Sequence, residues 1–183
     1  MHRVNLENTG LFTDKFLNLT SFTVLTGINS SGKTTILKAI ENQFDNVKHY
    51  KWTRLSIFTE HLEGEKGDIL LFEQPEAGLH PKLQFKLADI LLTYAQTGRR
   101  VVVETHSDHF INRIVRRYME DEKIRKYIKI YFIDQGLYNM SNIEPVVIDE
   151  VEGAICENEN FFYQFANETS KIIDAGYKNL QKG

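Results

Sequence analysis

Residues Gly27-Ile28-Asn29-Ser30-Ser31-Gly32-Lys33-Thr34 constrain this chain more than any other stretch. They follow a β-branched and aromatic run, Ser21–Thr26, and precede a helical face of Ile36, Leu37, Ile40 and Phe44. Glycines at both ends let the backbone curl until successive N–H groups point inward, a cradle suited to phosphate oxygens. A helix beginning near Gly32 adds its positive end to the same spot. Lys33 then offers a flexible, solvent-reachable ammonium to the β- and γ-phosphates, and the Thr34 hydroxyl is placed to ligate magnesium. Strand, G-x-x-x-x-G-K-[ST] and helix together read as a P-loop. The expected phosphate-binding set is Gly27, Asn29, Ser30, Ser31, Gly32, Lys33, Thr34 and Thr35, with ATP and magnesium as ligands.

A P-loop strand needs partners. Asp68–Phe72, Arg100–Thr105 and Tyr127–Ile133 are short apolar runs of the kind that fill a parallel sheet covered on both faces. Between them, Leu83, Leu87, Ile90, Leu91 and Tyr94 recur at helical spacing after Pro81. Phe110, Ile111, Ile114, Val115 and Tyr118 do the same after the cap signal Ser107-Asp108. This alternation predicts an α/β, three-layer P-loop NTPase fold with a mainly parallel sheet, shortened in its middle. Residues 1–140 are expected to form the ATPase core, shortened between 45 and 67, where little periodicity is visible. Within that core, Met1–Leu19 reads as a pair of short edge strands turning at Asn8-Thr9-Gly10. Residues 141–183 read as a small C-terminal appendage: a strand at Ile143–Val151, then a helical pattern of Phe161, Phe162, Phe165, Ile172, Ile173 and Tyr177.

At 183 residues the chain has room for one core. Its net charge of −3 gives no general attraction to nucleic acid or to anionic lipid. The basic residues Arg113, Arg116, Arg117, Lys123, Arg125, Lys126 and Lys129 are interrupted by Glu120, Asp121 and Glu122, as on a solvated helix face. One cysteine, Cys156, excludes an internal disulfide, and no apolar run reaches membrane-spanning length. A cytoplasmic chain without a membrane segment is the expectation.

The chemistry beyond the P-loop is sought at the ends of the other strands. Glu73 closes the run Ile69–Phe72 and is the expected strand-end acid that holds magnesium with Thr34. The next position, where this class carries the carboxylate that polarises attacking water, holds Gln74. An amide orients water but does not take its proton. Glu76, two residues on, is a second candidate base. At the end of Arg100–Thr105, Glu104-Thr105-His106-Ser107 brings His106 within reach of a γ-phosphate.

These segments carry a resemblance. Asn29–Thr34, Glu73-Gln74-Pro75-Glu76-Ala77-Gly78-Leu79-His80-Pro81 and Glu104–Arg113 are similar to bacterial ATPases of the ABC-like AAA group, kin to OLD-type, RecF-like and SMC-like proteins. The subgroup with a glutamate-glutamine-proline-glutamate stretch resembles it most. The resemblance spans roughly residues 1–45 and 66–165. It implies that Lys33 and Thr34 bind phosphate and magnesium, that Glu73 is the acidic strand residue, and that His106 is a switch histidine. The stretch after Glu73 would face a second protomer. Two departures stand out. Members of the group carry a much longer segment before the acidic strand, whereas Lys33 and Glu73 here lie only 40 positions apart. The segment lost would hold the helical lobe and the serine-glycine signature, for which Leu55-Ser56 is a poor substitute. Gly78 also stands where the group has histidine. The implied function is a slow magnesium-dependent ATPase acting by nucleotide-controlled association, in DNA repair or anti-phage defence. The alternative is a nucleotide-binding module without useful hydrolysis that works through a protein partner or a full-length relative.

Overall fold

The computed structural model describes residues 2–51, 64–136, 140–151, 153–156, 158 and 161. Among them lie nine strands: β1 His2–Asn5, β2 Phe16–Leu19, β3 Phe22–Gly27, β4 Val47–Lys51, β5 Ile69–Glu73, β6 Arg100–Glu104, β7 Ile128–Gln135, β8 Ser141–Asp149 and β9 Gly153–Ile155. The α-helices are α1 Lys33–Gln43, α2 Pro81–Gln96, α3 Asp108–Glu120 and the short α4 Glu122–Arg125. Seven strands form one sheet in the order β4-β5-β6-β3-β7-β8-β9. The first five of these run parallel, and β8 and β9 extend the sheet antiparallel beyond β7.

Alternation along the strands divides the core into two layers. Phe22, Val24, Leu70, Phe72, Val101, Val103, Ile130 and Phe132 pack beneath Leu87, Leu91, Phe110 and Ile114 of α2 and α3. The intervening residues Leu25, Ile69, Leu71, Val102, Tyr131 and Ile133 face Ile36, Leu37 and Ile40 of α1. The spacing read from the sequence therefore falls on the buried sides of all three long helices. Pro81 opens α2 behind a His80 cap, and the Ser107 side chain caps α3 by accepting from Phe110 N at 3.0 Å. The expected α/β, three-layer architecture is present as a shortened P-loop NTPase fold.

Two local expectations change. The 45–67 stretch is not featureless: it holds β4, paired parallel with β5 from Val47↔Ile69 to Lys51↔Glu73. As the outermost strand of the described sheet, β4 is only partly buried, so its Val-Lys-His-Tyr-Lys sequence lacks the apolar run of an interior strand. The N-terminal pair does form, but as a separate two-stranded sheet, His2↔Leu19 to Asn5↔Phe16. It rests on α1, where the Gln43 side-chain amide exchanges two 2.7 Å hydrogen bonds with the Asn5 backbone. Val4, Leu6, Leu17 and Leu19 close the α1 layer from that side. Leu55-Ser56 and the helical pattern after Phe161 lie outside the described residues. Phe161 itself is buried edge-on against Phe132, with ring centroids 5.5 Å apart.

The arginines of the basic stretch are paired with carboxylates on and around it. Asp89 on α2 accepts from Arg113 Nη2 at 2.6 Å and from Arg117 Nε at 2.8 Å, clamping α2 to α3. Burial pushes the Asp89 carboxyl up, but the hydrogen bonds and charges of Arg113 and Arg117 outweigh it and hold the group below its ordinary 3.8. An acid with a depressed folded-state pKa stabilises the fold above its unfolded value and loses that contribution as pH falls through the folded one. Asp89→Ala should therefore cost about 1 kcal/mol at neutral pH, screening at this half-exposed site keeping the figure small. The gap between parent and variant should close in strong acid. Urea unfolding at both pH values checks this; a gap that widens in acid contradicts it. Among the described residues no helix is long and apolar enough to cross a membrane.

Candidate functional site

The parallel strands all end at one edge, and β3 sits where the chain's route divides. The chain leaves β3 through α1 towards β4 at one edge, and α3 later carries it from β6 past β3 to β7, the reversal of strand order where open α/β sheets gather ligands. Gly27 at the end of β3 has φ 139°, and a Cβ there would lie 1.9 Å from the Ile133 carbonyl oxygen. Only glycine allows the loop to leave the sheet so close to β7. Ser30 turns in the left-handed region at φ 62°, and Gly32 at φ 93° caps α1 beneath Leu11 and Phe12. The loop and its surroundings enclose a cavity of about 370 Å³, lined in part by Asn29, Lys33, Thr34, Gln74, Glu104 and His106.

Lys33 departs from expectation. Its side chain is not a solvent-reachable charge: the residue is 3% exposed. The ammonium donates to Gly27 O at 3.1 Å, Ile28 O at 2.5 Å and Ser31 Oγ at 3.3 Å. Burial lowers the Lys33 pKa, and the nearby Glu104 carboxylate opposes the shift.

Glu104 is the site residue that the sequence reading passed over. It is 3% exposed, and Thr34 Oγ1 donates towards its Oε2 at 3.2 Å and Oε1 at 3.4 Å. Burial pushes its carboxyl up, against the pull of Lys33 and Thr34, and the acids Glu73 and Glu76 add to the rise. Glu73 and Glu104 are register partners on β5 and β6. Both continue the alternation of Ile69, Leu71 and Val102, which places them on the α1 side. The signal was present, an acid at a strand end in phase with that face. Strand order alone reveals that β6 lies between β5 and the P-loop strand.

Glu73 lies one strand further out, its Oε2 3.4 Å from His49 Nε2. Gln74, with φ 47°, donates its backbone N–H to Glu104 O at 2.8 Å and lines the cavity. Glu76 is 7% exposed, and its Oε1 accepts from Thr105 Oγ1 at 2.6 Å and His106 N at 3.1 Å. That carboxylate braces the turn carrying His106, while its Oε2 has no hydrogen-bond partner. Burial raises the Glu76 pKa despite these bonds. His106 lines the cavity shared with Lys33 and also a second one of about 420 Å³ at the starts of α2 and α3. Burial and the Lys33 charge lower its pKa.

A hard divalent cation takes oxygen ligands and keeps several waters. The hydroxyl of Thr34, the adjacent Glu104 carboxylate and the unpartnered buried Oε2 of Glu73 fit that donor set.

Fold and loop together define a shortened P-loop NTPase fold. The AAA ATPase domain family matches residues 52–111, a third of the chain reaching from before β5 into α3. The L-cystine import ATP-binding protein TcyN of Bacillus subtilis is 36% identical over 47 residues, which is 26% of this chain and 18% of that protein. The chain thus covers less than a fifth of that relative's length. Both similarities support ATP binding.

Proposed function

We propose that the chain binds ATP with magnesium at Gly27–Thr35 and hydrolyses it slowly, with nucleotide-controlled association as its output in a DNA-repair or anti-phage setting. The observation that carries this reading is the convergence of Lys33, Thr34, Gln74, Glu104 and His106 on one cavity at the end of β3. In it, the backbone of Asn29–Thr34 cradles the phosphates and Lys33 exchanges its loop acceptors for phosphate oxygens. Thr34 and Glu73, with Glu104 between Glu73 and the loop, would hold the magnesium, which when bound neutralises phosphate charge. Gln74 orients water and His106 contacts the terminal phosphate, while a base role for Glu76 requires its buried Oε2 to reach in from the neighbouring cavity.

A second reading is a cytoplasmic binding module that holds ATP without useful turnover and acts through a protein partner or a full-length relative. The amide at Gln74 favours it. Steady-state phosphate release from the parent chain, absent in Lys33→Ala, supports hydrolysis. ATP binding by calorimetry with no phosphate release supports the module.

Gln74→Glu sharpens the choice. A general base acts in the transition state, so it should raise turnover with little change in ATP affinity. General-base contributions run on the order of 100- to 10,000-fold, so if Gln74 limits the chemistry the rise should exceed about tenfold. An unchanged rate removes Gln74 as the limiting residue and favours the module.

A further inference from the structure

His49 stands on β4 between two glutamates. Its side chain is only 9% exposed, and Nδ1 lies 2.7 Å from Glu41 Oε1 on α1. A neutral imidazole that donates Nδ1–H to Glu41 presents a lone pair at Nε2. That nitrogen faces Glu73 Oε2 at 3.4 Å, and neither atom has a hydrogen-bond partner although both are buried. Two buried acceptors facing each other unbridged cost free energy. Two ligand bonds of about 2.1 Å meeting at octahedral to tetrahedral angles would place their outer atoms roughly 3.0 to 3.4 Å apart. The observed separation falls at that limit. The carboxylate on the far ring nitrogen matches the usual second contact of a metal-bound histidine, which fixes the tautomer and the ring plane.

We propose that His49 Nε2 and Glu73 Oε2 are a nitrogen–oxygen ligand pair for a first-row transition divalent cation, with Glu41 holding the imidazole in place. The inference rests on reading Glu73 as the strand-end metal acid, and it adds an imidazole to that acid. Magnesium prefers oxygen ligands, whereas imidazole suits ions such as Fe2+, Ni2+ and Zn2+, so the pair biases the strand end towards transition metals, of which Mn2+ binds most weakly and serves as the paramagnetic probe. Among the described residues no three His, Cys, Asp or Glu side chains converge on one point. The remainder of the coordination shell therefore comes from water or phosphate, and the exposed part of the Glu73 carboxylate leaves room for it.

The test is a titration of the full, metal-free chain with Mn2+ alone, without nucleotide, following the signal of free Mn2+ by electron paramagnetic resonance. One Mn2+ per chain is expected. His49→Ala and Glu73→Gln should each weaken uptake by about 10- to 100-fold, and Glu41→Gln should weaken it within the same range. A second measurement needs no variant. In the parent, Mn2+ should broaden the ring resonances of one histidine of the six before the others, and Mg2+ at equal concentration should not displace it. Absence of Mn2+ uptake, uptake that His49→Ala leaves within twofold, or uniform broadening of all histidines overturns the proposal. His49 is then an imidazole bracketed by two carboxylates and nothing more. A parent that takes up Mn2+ through His49 yet binds no ATP sinks the nucleotide reading alone. A parent that binds ATP while its His49 ring ignores Mn2+ sinks this inference alone.

Discussion

Lys33→Ala should weaken triphosphate binding by about 10- to 100-fold, the loss expected when charge-assisted hydrogen bonds are removed. The burial of Lys33 gives this substitution a second effect. Its ammonium ties together Gly27 O, Ile28 O and Ser31 Oγ, so alanine frees three acceptors as well as removing a charge. The loop should therefore lose order along with its affinity. Alanine also removes a buried charge whose desolvation opposes folding, so the melting temperature should stay within a few degrees of the parent. Calorimetry with ATP and magnesium, beside a thermal melt by circular dichroism, measures both. Parent-like ATP affinity in a folded variant contradicts the site.

Gly27→Ala should do more damage to the protein than any substitution inside the cavity. The added methyl would sit 1.9 Å from a backbone oxygen and 2.8 Å from the backbone carbon of Ile133, atoms that cannot swing aside. The backbone at φ 139° is also one that alanine rarely adopts. Relief requires β3 and β7 to separate, which breaks a ladder running from Phe22↔Ile128 to Gly27↔Ile133. A cost above about 4 kcal/mol follows, seen as a fall of roughly 10 °C or more in melting temperature, or as loss of soluble protein. Gly32→Ala makes a useful companion. There the Cβ meets Leu11 Cδ2 at 2.5 Å and Phe12 Cζ at 2.9 Å, side-chain ends that can turn, so the loss should be smaller. Equal melting of Gly27→Ala and the parent would mean that β3 and β7 do not approach this closely.

Local chemistry made much of this arrangement legible. The octapeptide at 27–34 is spelled by what a phosphate cradle needs. The interior strands β3, β5, β6 and β7 announce themselves because both of their faces are covered. What stayed hidden depended on neighbours far along the chain. β4 has the polar composition of an outer strand, so no apolar run marks it. Glu73 and Glu104 are both acids at strand ends, and sequence cannot tell which strand stands beside the P-loop. Glu76 stood as a candidate base, and its partners Thr105 and His106, which follow β6, carry no signal near it in sequence. Lys33 read as exposed because two of its three acceptors are carbonyl oxygens of its own loop, and those carry no sequence signal.

The central position of β3 has a consequence for how the molecule comes into being. Both of its sheet neighbours are distant in the chain: Phe22 pairs with Val101 on one side and Ile128 on the other. Contacts of such long range are closed late, because a large loop must be immobilised before they reward it. During synthesis the loop at Gly27 emerges before its seat does, since the Ile133 carbonyl is made about a hundred residues later. A nascent chain halted before β7 carries the whole octapeptide without the sheet that shapes it. The capacity to grip a nucleotide should therefore switch on abruptly, as the last parallel strand docks, rather than grow with chain length.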